Sequence, residues 1–224
     1  MLLYIVSESD GDAAFYAACV SKLTGLEIDH FPLKNRKADG AEAVKKQLFN
    51  ALQITRATAA SAQPVGFLAA IDNDRSPHPE NSALNRARLF PNERDSVNRL
   101  GWMNETLTAV FKENPAKWPL PVALAVPVEM LESWIVLAQS GAAPQPQPYF
   151  SRATSASARA YYAPSQPPPQ WKDIVDSLRG ERTAQEFFLT VLDSMDAVAL
   201  AARSLSFRMF KEWLDQWPKP EATE

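Results

Sequence analysis

Three short apolar runs constrain this chain more than any other feature: Leu2–Val6 (LLYIV), residues 65–71 (VGFLAAI) and residues 121–126 (PVALAV). The first is rich in β-forming residues. The second is apolar almost throughout, as expected of a central parallel strand covered on both faces, and the third has the same buried look. Residues 26–33 (LEIDHFPL) alternate apolar and polar positions, which predicts a half-exposed strand, and Pro32 places that strand at a sheet edge.

Helical periodicity fills the intervals. Phe15, Ala18, Cys19 and Leu23 recur at helical spacing after the polar start of residues 7–12, with Gly25 as the stop. Residues 39–58 carry Val44, Leu48, Leu52 and Ile54 on one predicted face and lysines on the other. A third helix is expected over residues 93–114 and a fourth over 128–139, the latter with Met130, Leu131, Trp134 and Ile135 as its core stripe. Strands alternating with helices argue for an α/β fold: an open, mostly parallel Rossmann-like sheet flanked by helices and joined by right-handed crossovers.

The composition then shifts. Residues 140–170 hold seven of the 18 prolines and read as a loop, linker or lid. Three further helices are expected at 171–179, 183–203 and 206–217. The predicted organisation is an α/β domain over 1–139, the Pro-rich segment over 140–170, and a C-terminal helical extension over 171–217 packing on the first domain.

The 224 residues carry 23 Lys plus Arg against 26 Asp plus Glu, a formal net charge of -3, so any polyanion must be gripped locally rather than by global charge. The single cysteine, Cys19, excludes an internal disulfide framework and multi-cysteine zinc sites, and it reads as a small core residue. The N-terminal stretch lacks a positive leader and no run of 18 apolar residues occurs, so a soluble cytoplasmic protein without membrane partners is expected.

Acids collect where the predicted strands end. The first strand runs into Glu8, Asp10 and Asp12, the third into Asp72 and Asp74, and the fourth is followed by Glu129 and Glu132. In open parallel sheets ligands bind beyond the carboxyl ends of the strands, where strand order reverses. Crowded carboxylates repel one another unless a cation compensates, and a hard divalent ion such as Mg²⁺ matches an all-oxygen ligand set. Each acid also has an ordinary reading: Asp10 and Asp12 as helix N-cap and first-turn residues, Asp72 and Asp74 as turn formers, Glu132 as a solvent-facing helix residue.

The stretch LYIVSESDGDAAFYAA, residues 3–18, resembles the opening of Toprim domains, in which an apolar strand enters Glu-Gly-x-x-Asp and then a helix. Glu8 and Asp12 match that pattern, while Ser9 stands where the family has glycine. Asp72-Asn73-Asp74 after VGFLAAI matches the second hallmark, Asp-x-Asp. Residues 126–137 and 202–214 resemble an uncharacterised bacterial Toprim-like group, similar to the nuclease half of the overcoming-lysogenization-defect ATPase/nucleases. The resemblance implies a Toprim-like sheet binding Mg²⁺ or Mn²⁺ and acting on nucleic-acid phosphodiesters, in DNA or RNA, in an anti-phage or toxin setting. It implies Glu8 as metal ligand or proton-transfer group and Asp12, Asp72 and Asp74 as ligands, with Glu132 as a further candidate. Glycine lets a backbone approach phosphate closely, so Ser9 bears on catalysis more than on fold.

Basic residues follow the acids. Lys34 and Arg36 come after the second strand and Arg75 after the acid pair, positions suited to holding phosphates. Trp134, Phe187, Phe188, Phe210 and Trp213 fall at helical spacing and read as core; Tyr149, Phe150, Tyr161 and Tyr162, in the Pro-rich segment, are candidates for stacking on bases or docking a partner. His30 and His78 are isolated and read as incidental. The alternative to a nuclease is a non-catalytic Toprim-like regulatory or interaction module. No GxxxxGK loop occurs, so any ATPase in the system is a partner chain. A phosphatase acting on small phosphoesters is a third reading.

Overall fold

The strand-forming runs pair into one sheet in the computed structural model, which describes residues 1–33, 40–59, 64–72, 98–112, 118, 120–127, 131–140 and 171–219. Strands β1 (Leu2–Val6), β2 (Asp29–Pro32), β3 (Val65–Ala70) and β4 (Val122–Ala125) are all parallel and lie in the order β2-β1-β3-β4. The fold is thus an open α/β sheet flanked by helices. The chain steps from β1 to β2 in one direction and returns to β3 on the other side, so strand order reverses between β1 and β3.

That reversal assigns the helices to layers. Helix α1 (Asp10–Thr24) packs on the face carrying Leu3, Ile5, Leu68, Ala70, Ala123 and Ala125. Helices α2 (Gly40–Ala59) and α3 (Asn98–Phe111) pack on the opposite face, against Val6, Phe67, Ala69, Val122 and Leu124. Opposite faces are what crossovers of a single hand require when the winding direction changes. The strand pleat supplies both cores at once, since successive side chains point to opposite sides. β3, covered on both, is buried at every position.

β2 takes the edge and all four of its residues are exposed, so it is shorter and wetter than the alternation of residues 26–33 predicts. Pro32, lacking an N–H, is tolerated there. Helix α1 ends where expected, with Gly25 left-handed at φ 74° and its N–H donating to Ser21 O at 2.9 Å.

The buried stripe of α2 corrects one expectation. Val44, Leu48, Ala51, Leu52 and Thr55 are buried, whereas Ile54 is 50% exposed. At about 100° per residue, Thr55 falls at the middle of this stripe, with Val44, Leu48, Ala51 and Leu52 within about 60° of it, whereas Ile54 lies about 100° away. Thr55 meets the cost of burial by donating its hydroxyl to Ala51 O at 2.8 Å.

Helix α4 (Glu132–Ser140) follows β4, and the extension supplies α5 (Trp171–Arg179), α6 (Ala184–Ser194), α7 (Ala197–Arg203) and α8 (Leu205–Leu214). The single helix expected over 183–203 is two. Met195 turns extended and buries its side chain, and Asp196 restarts the helix by accepting from Val198 N and Ala199 N, both at 2.9 Å. α5 and α7 pack on α4, α6 on α1, and α8 along β4. Phe187, Val191, Phe207, Phe210 and Trp217 join the same core as α1 and the sheet.

α8 covers the open edge of β4. Phe67 N donates to Pro121 O and Ile71 N to Ala125 O, each at 3.0 Å, so those carbonyls face β3 and the Val122 carbonyl between them faces outward. The Trp217 indole N–H fills it at 2.9 Å. Gly66 makes room for that indole: a Cβ there would lie 3.3 Å from the Trp217 ring and 3.2 Å from Met1 Sδ. Among the described residues no helix is long and apolar enough to cross a membrane.

Candidate active site

The site begins where β1 and β3 end side by side. Val6 pairs with Ala69, so the residues that follow, Ser7-Glu8 and Ile71-Asp72, leave the sheet as neighbours at the switch point. Asp72 N donates to Glu8 Oε1 at 3.0 Å, joining residues 64 apart in sequence. Asp72 in turn accepts through Oδ1 from Leu131 N at 3.1 Å, immediately before α4 begins at Glu132. One carboxylate therefore caps a strand end and the other a helix start. Charge-assisted bonds of this kind are about twice as strong as neutral ones.

Ser9 explains its own presence. It is the N-cap of α1, with φ -143° and ψ 164°, and its hydroxyl accepts from Asp12 N at 3.1 Å. The cap is thus Ser9 rather than Asp10, and Asp10 and Asp12 lie in the first turn, where carboxylates favour the helix dipole. The extended backbone at Ser9 makes no demand for glycine. Ser7, buried, donates its hydroxyl to Ser9 O at 2.8 Å and fixes the turn out of β1.

A residue that sequence reasoning missed sits beneath the acids. Tyr16, one turn beyond Asp12 on α1, is only 1% exposed. Burial above all, then the charges of Asp72, Asp12 and Glu8, hold its phenol protonated well above the ordinary range. Three carboxylates from two strand ends and one helix therefore act on one buried point. The only advance signal was its i+4 spacing from Asp12, and the apolar stripe of α1 masked that. Tyr16 also packs edge-on against Trp134 and Phe210, each with ring centroids 6.1 Å away.

Glu8, Asp12, Asp72 and Glu132 are all half-buried. Glu132 stands one residue beyond Leu131 and so beside the Asp72 cap. Asp74, Lys34, Arg36 and Arg75, together with Glu129, His78 and the aromatics of the Pro-rich segment, lie outside the described residues. Among the described residues, no group of three or more His, Cys, Asp or Glu is drawn together closely enough to hold a metal by itself. The described acids nevertheless suit a hard divalent ion. Their donors are all carboxylate oxygens and they are partly withdrawn from water.

The remaining candidates resolve as packing. Cys19 is fully buried and burial pushes its thiol up to about 12, so it is no nucleophile. His30 is exposed on β2. Trp134, Phe187 and Phe210 are buried and Phe188 and Trp213 pack partly buried against the cores.

A scan against protein-family models finds no match to this chain, and searches of the curated proteins and of the solved structures find none either.

Proposed function

We propose that this protein is a metal-dependent phosphodiesterase of Toprim type, a nuclease acting on DNA or RNA with Mg²⁺ or Mn²⁺. The observation that carries the reading is the Asp72–Glu8 contact, which joins the two hallmark segments at the strand-order switch. Both segments bring carboxylate oxygens, the donor type a hard divalent ion takes, to that switch point.

In this reading Glu8, Asp12, Asp72 and Asp74 hold the ion or ions, with Glu132 as an additional oxygen donor. When bound, the ion supplies Lewis-acid polarisation of the phosphodiester. Glu8 accepts the proton of the attacking water, and Lys34, Arg36 and Arg75 hold neighbouring phosphates and balance charge on the leaving oxygen. The backbone bonds into Glu8 and Asp72 keep both carboxylates in place without substrate, as preorganisation requires.

The same two bonds favour a second reading. A carboxylate that caps a strand end or a helix start has structural work in a non-catalytic module, here one that serves a partner ATPase. Cleavage of end-labelled single- and double-stranded DNA and RNA in Mn²⁺ separates the two. The nuclease loses turnover with chelator and in Glu8→Gln and Asp72→Asn. Tight Mn²⁺ binding with no turnover on any nucleic acid supports the module. Undiminished cutting by either variant overturns the assignment of these carboxylates.

A further inference from the structure

We infer that Trp134 and Ser206 are positioning residues for the Glu8–Asp72 pair, so that the C-terminal extension is a working part of the carboxylate site and not an appendage. The role rests on the reading of that pair as a cation site. The chain of contacts is continuous. Glu8 is held by Asp72 N, Asp72 by Leu131 N, and Leu131 opens the helix whose next turn carries Trp134.

Trp134 is 1% exposed and its indole N–H donates to Ser206 Oγ at 2.8 Å, within α8. Ser206 Oγ lies 3.1 Å from Ser204 Oγ, and Ser204 is the N-cap of α8, accepting from Phe207 N at 3.2 Å. Both serines are buried, 2% and 0% exposed. The indole also stacks on Phe210, at 5.5 Å and 23°. A second tie runs from Arg203 Nη1 to Leu137 O at 2.9 Å, so α4 is gripped by the extension along its length.

Packing alone does not call for this polar pair. A buried indole N–H needs an acceptor, and burying two hydroxyls is costly unless their bonds are made, so an apolar seam between α4 and α8 would be the simpler solution. What the polar pair adds is direction: it fixes the rotation of α4 about its axis, and with it where the Leu131 N–H points. An apolar contact would tolerate sliding of the helix end that a hydrogen bond does not. Asp72 follows that N–H, and Glu8 follows Asp72.

Trp134→Phe deletes the indole bond while keeping an aromatic body, and Ser206→Ala deletes it together with the contact to Ser204 Oγ while keeping the backbone. Gln139→Ala is the control, since it removes an exposed α4-to-α6 bond, Gln139 Nε2 to Ser194 Oγ, away from the path. Amide hydrogen exchange of the full chain is read at Leu131 and Asp72, with Phe67, bonded to Pro121 O at the far end of the sheet, as reference. The inference expects protection at Leu131 and Asp72 to fall about three- to tenfold relative to Phe67 in both variants. That is the scale of one lost hydrogen bond, and Gln139→Ala should leave it unchanged. The double variant should lose no more than Ser206→Ala alone, because the indole bond is already gone in that variant. Mn²⁺ affinity, measured by titration calorimetry, should fall with the protection.

Equal loosening at Phe67, or unchanged protection at Leu131 and Asp72, overturns the positioning role. If the parent protein binds no Mn²⁺ while the exchange pattern holds, the cation reading fails and the positioning of the carboxylates stands.

Discussion

At the amino ends of β1, β3 and β4 the chain closes the sheet with Met1, Gly66 and Trp217, whereas at the carboxyl ends of β1 and β3 it leaves Glu8 and Asp72 half-buried beside each other. Both ends face the same problem, backbone groups with no strand partner. The amino end gives the Val122 carbonyl an indole N–H within an apolar lid. The carboxyl end gives the Asp72 and Leu131 N–H groups side-chain carboxyl acceptors. One end uses its polar group for closure; the other brings carboxylates from two strands together. Stability is therefore expected to reside at the first end and chemistry at the second.

The comparison breaks most visibly at Trp217. Trp217→Ala should destabilise by about 3–5 kcal/mol in urea unfolding, and Trp217→Phe by about 1–2 kcal/mol, through loss of the Val122 partner. A cost below about 1 kcal/mol for the alanine variant would show that the lid does not hold the amino end closed.

Asp72→Ala sets the opposite end against it. Removing the Leu131 acceptor should cost about 1–2 kcal/mol, and Mn²⁺ binding should vanish. Asp72→Asn keeps an acceptor oxygen and should recover most of the stability without recovering the metal. Should Asp72→Ala destabilise as much as Trp217→Ala, the carboxyl end is a structural element and the division fails.

Ser9 sharpens the contrast within the site. Ser9→Ala should cost about 1 kcal/mol by loss of the cap, while Ser9→Gly should cost only a few tenths. Thermal or chemical denaturation reads both. No measurable cost in Ser9→Ala would mean that the cap to Asp12 contributes nothing.

The smallest effect is a slope. The folded thiol of Cys19 titrates at about 12 against an ordinary 9.0, so above about pH 9 the unfolded chain releases a proton that the folded chain keeps. Stability from this source is complete below that pH and is lost as pH rises towards about 12. The buried Tyr16 phenol acts in the same direction. Urea midpoints taken between about pH 8 and about pH 11 should fall less steeply in Cys19→Ala than in the parent. Identical slopes would place the thiol in contact with water.

Much of the layer structure was legible because burial leaves a period in the sequence. The β1 run and the Val65–Ala70 strand follow directly from apolar continuity, and Gly25 marks its helix stop because only a left-handed residue ends α1 there. Ile54 was misplaced because hydrophobicity outweighed angle: a threonine closer to the stripe takes the core, and isoleucine faces water. The break at Met195–Asp196 hid within an unbroken helical pattern, since either an aspartate cap or a helix interior fits those residue types. Of the candidate acids, Glu8 and Asp72 were named from strand ends, but Tyr16 was not, because a buried tyrosine at helical spacing looks like any other core aromatic.

By itself the sequence determined the alternation of strands and helices, and that acids follow the strands, because both are written in residues adjacent in the chain. Only the tertiary structure decided the order β2-β1-β3-β4, which makes neighbours of Glu8 and Asp72, and the seating of Trp217 on the edge of β4. Strand order and lid placement are chosen by contacts between segments far apart in sequence, and such contacts leave no period for a local reading to find.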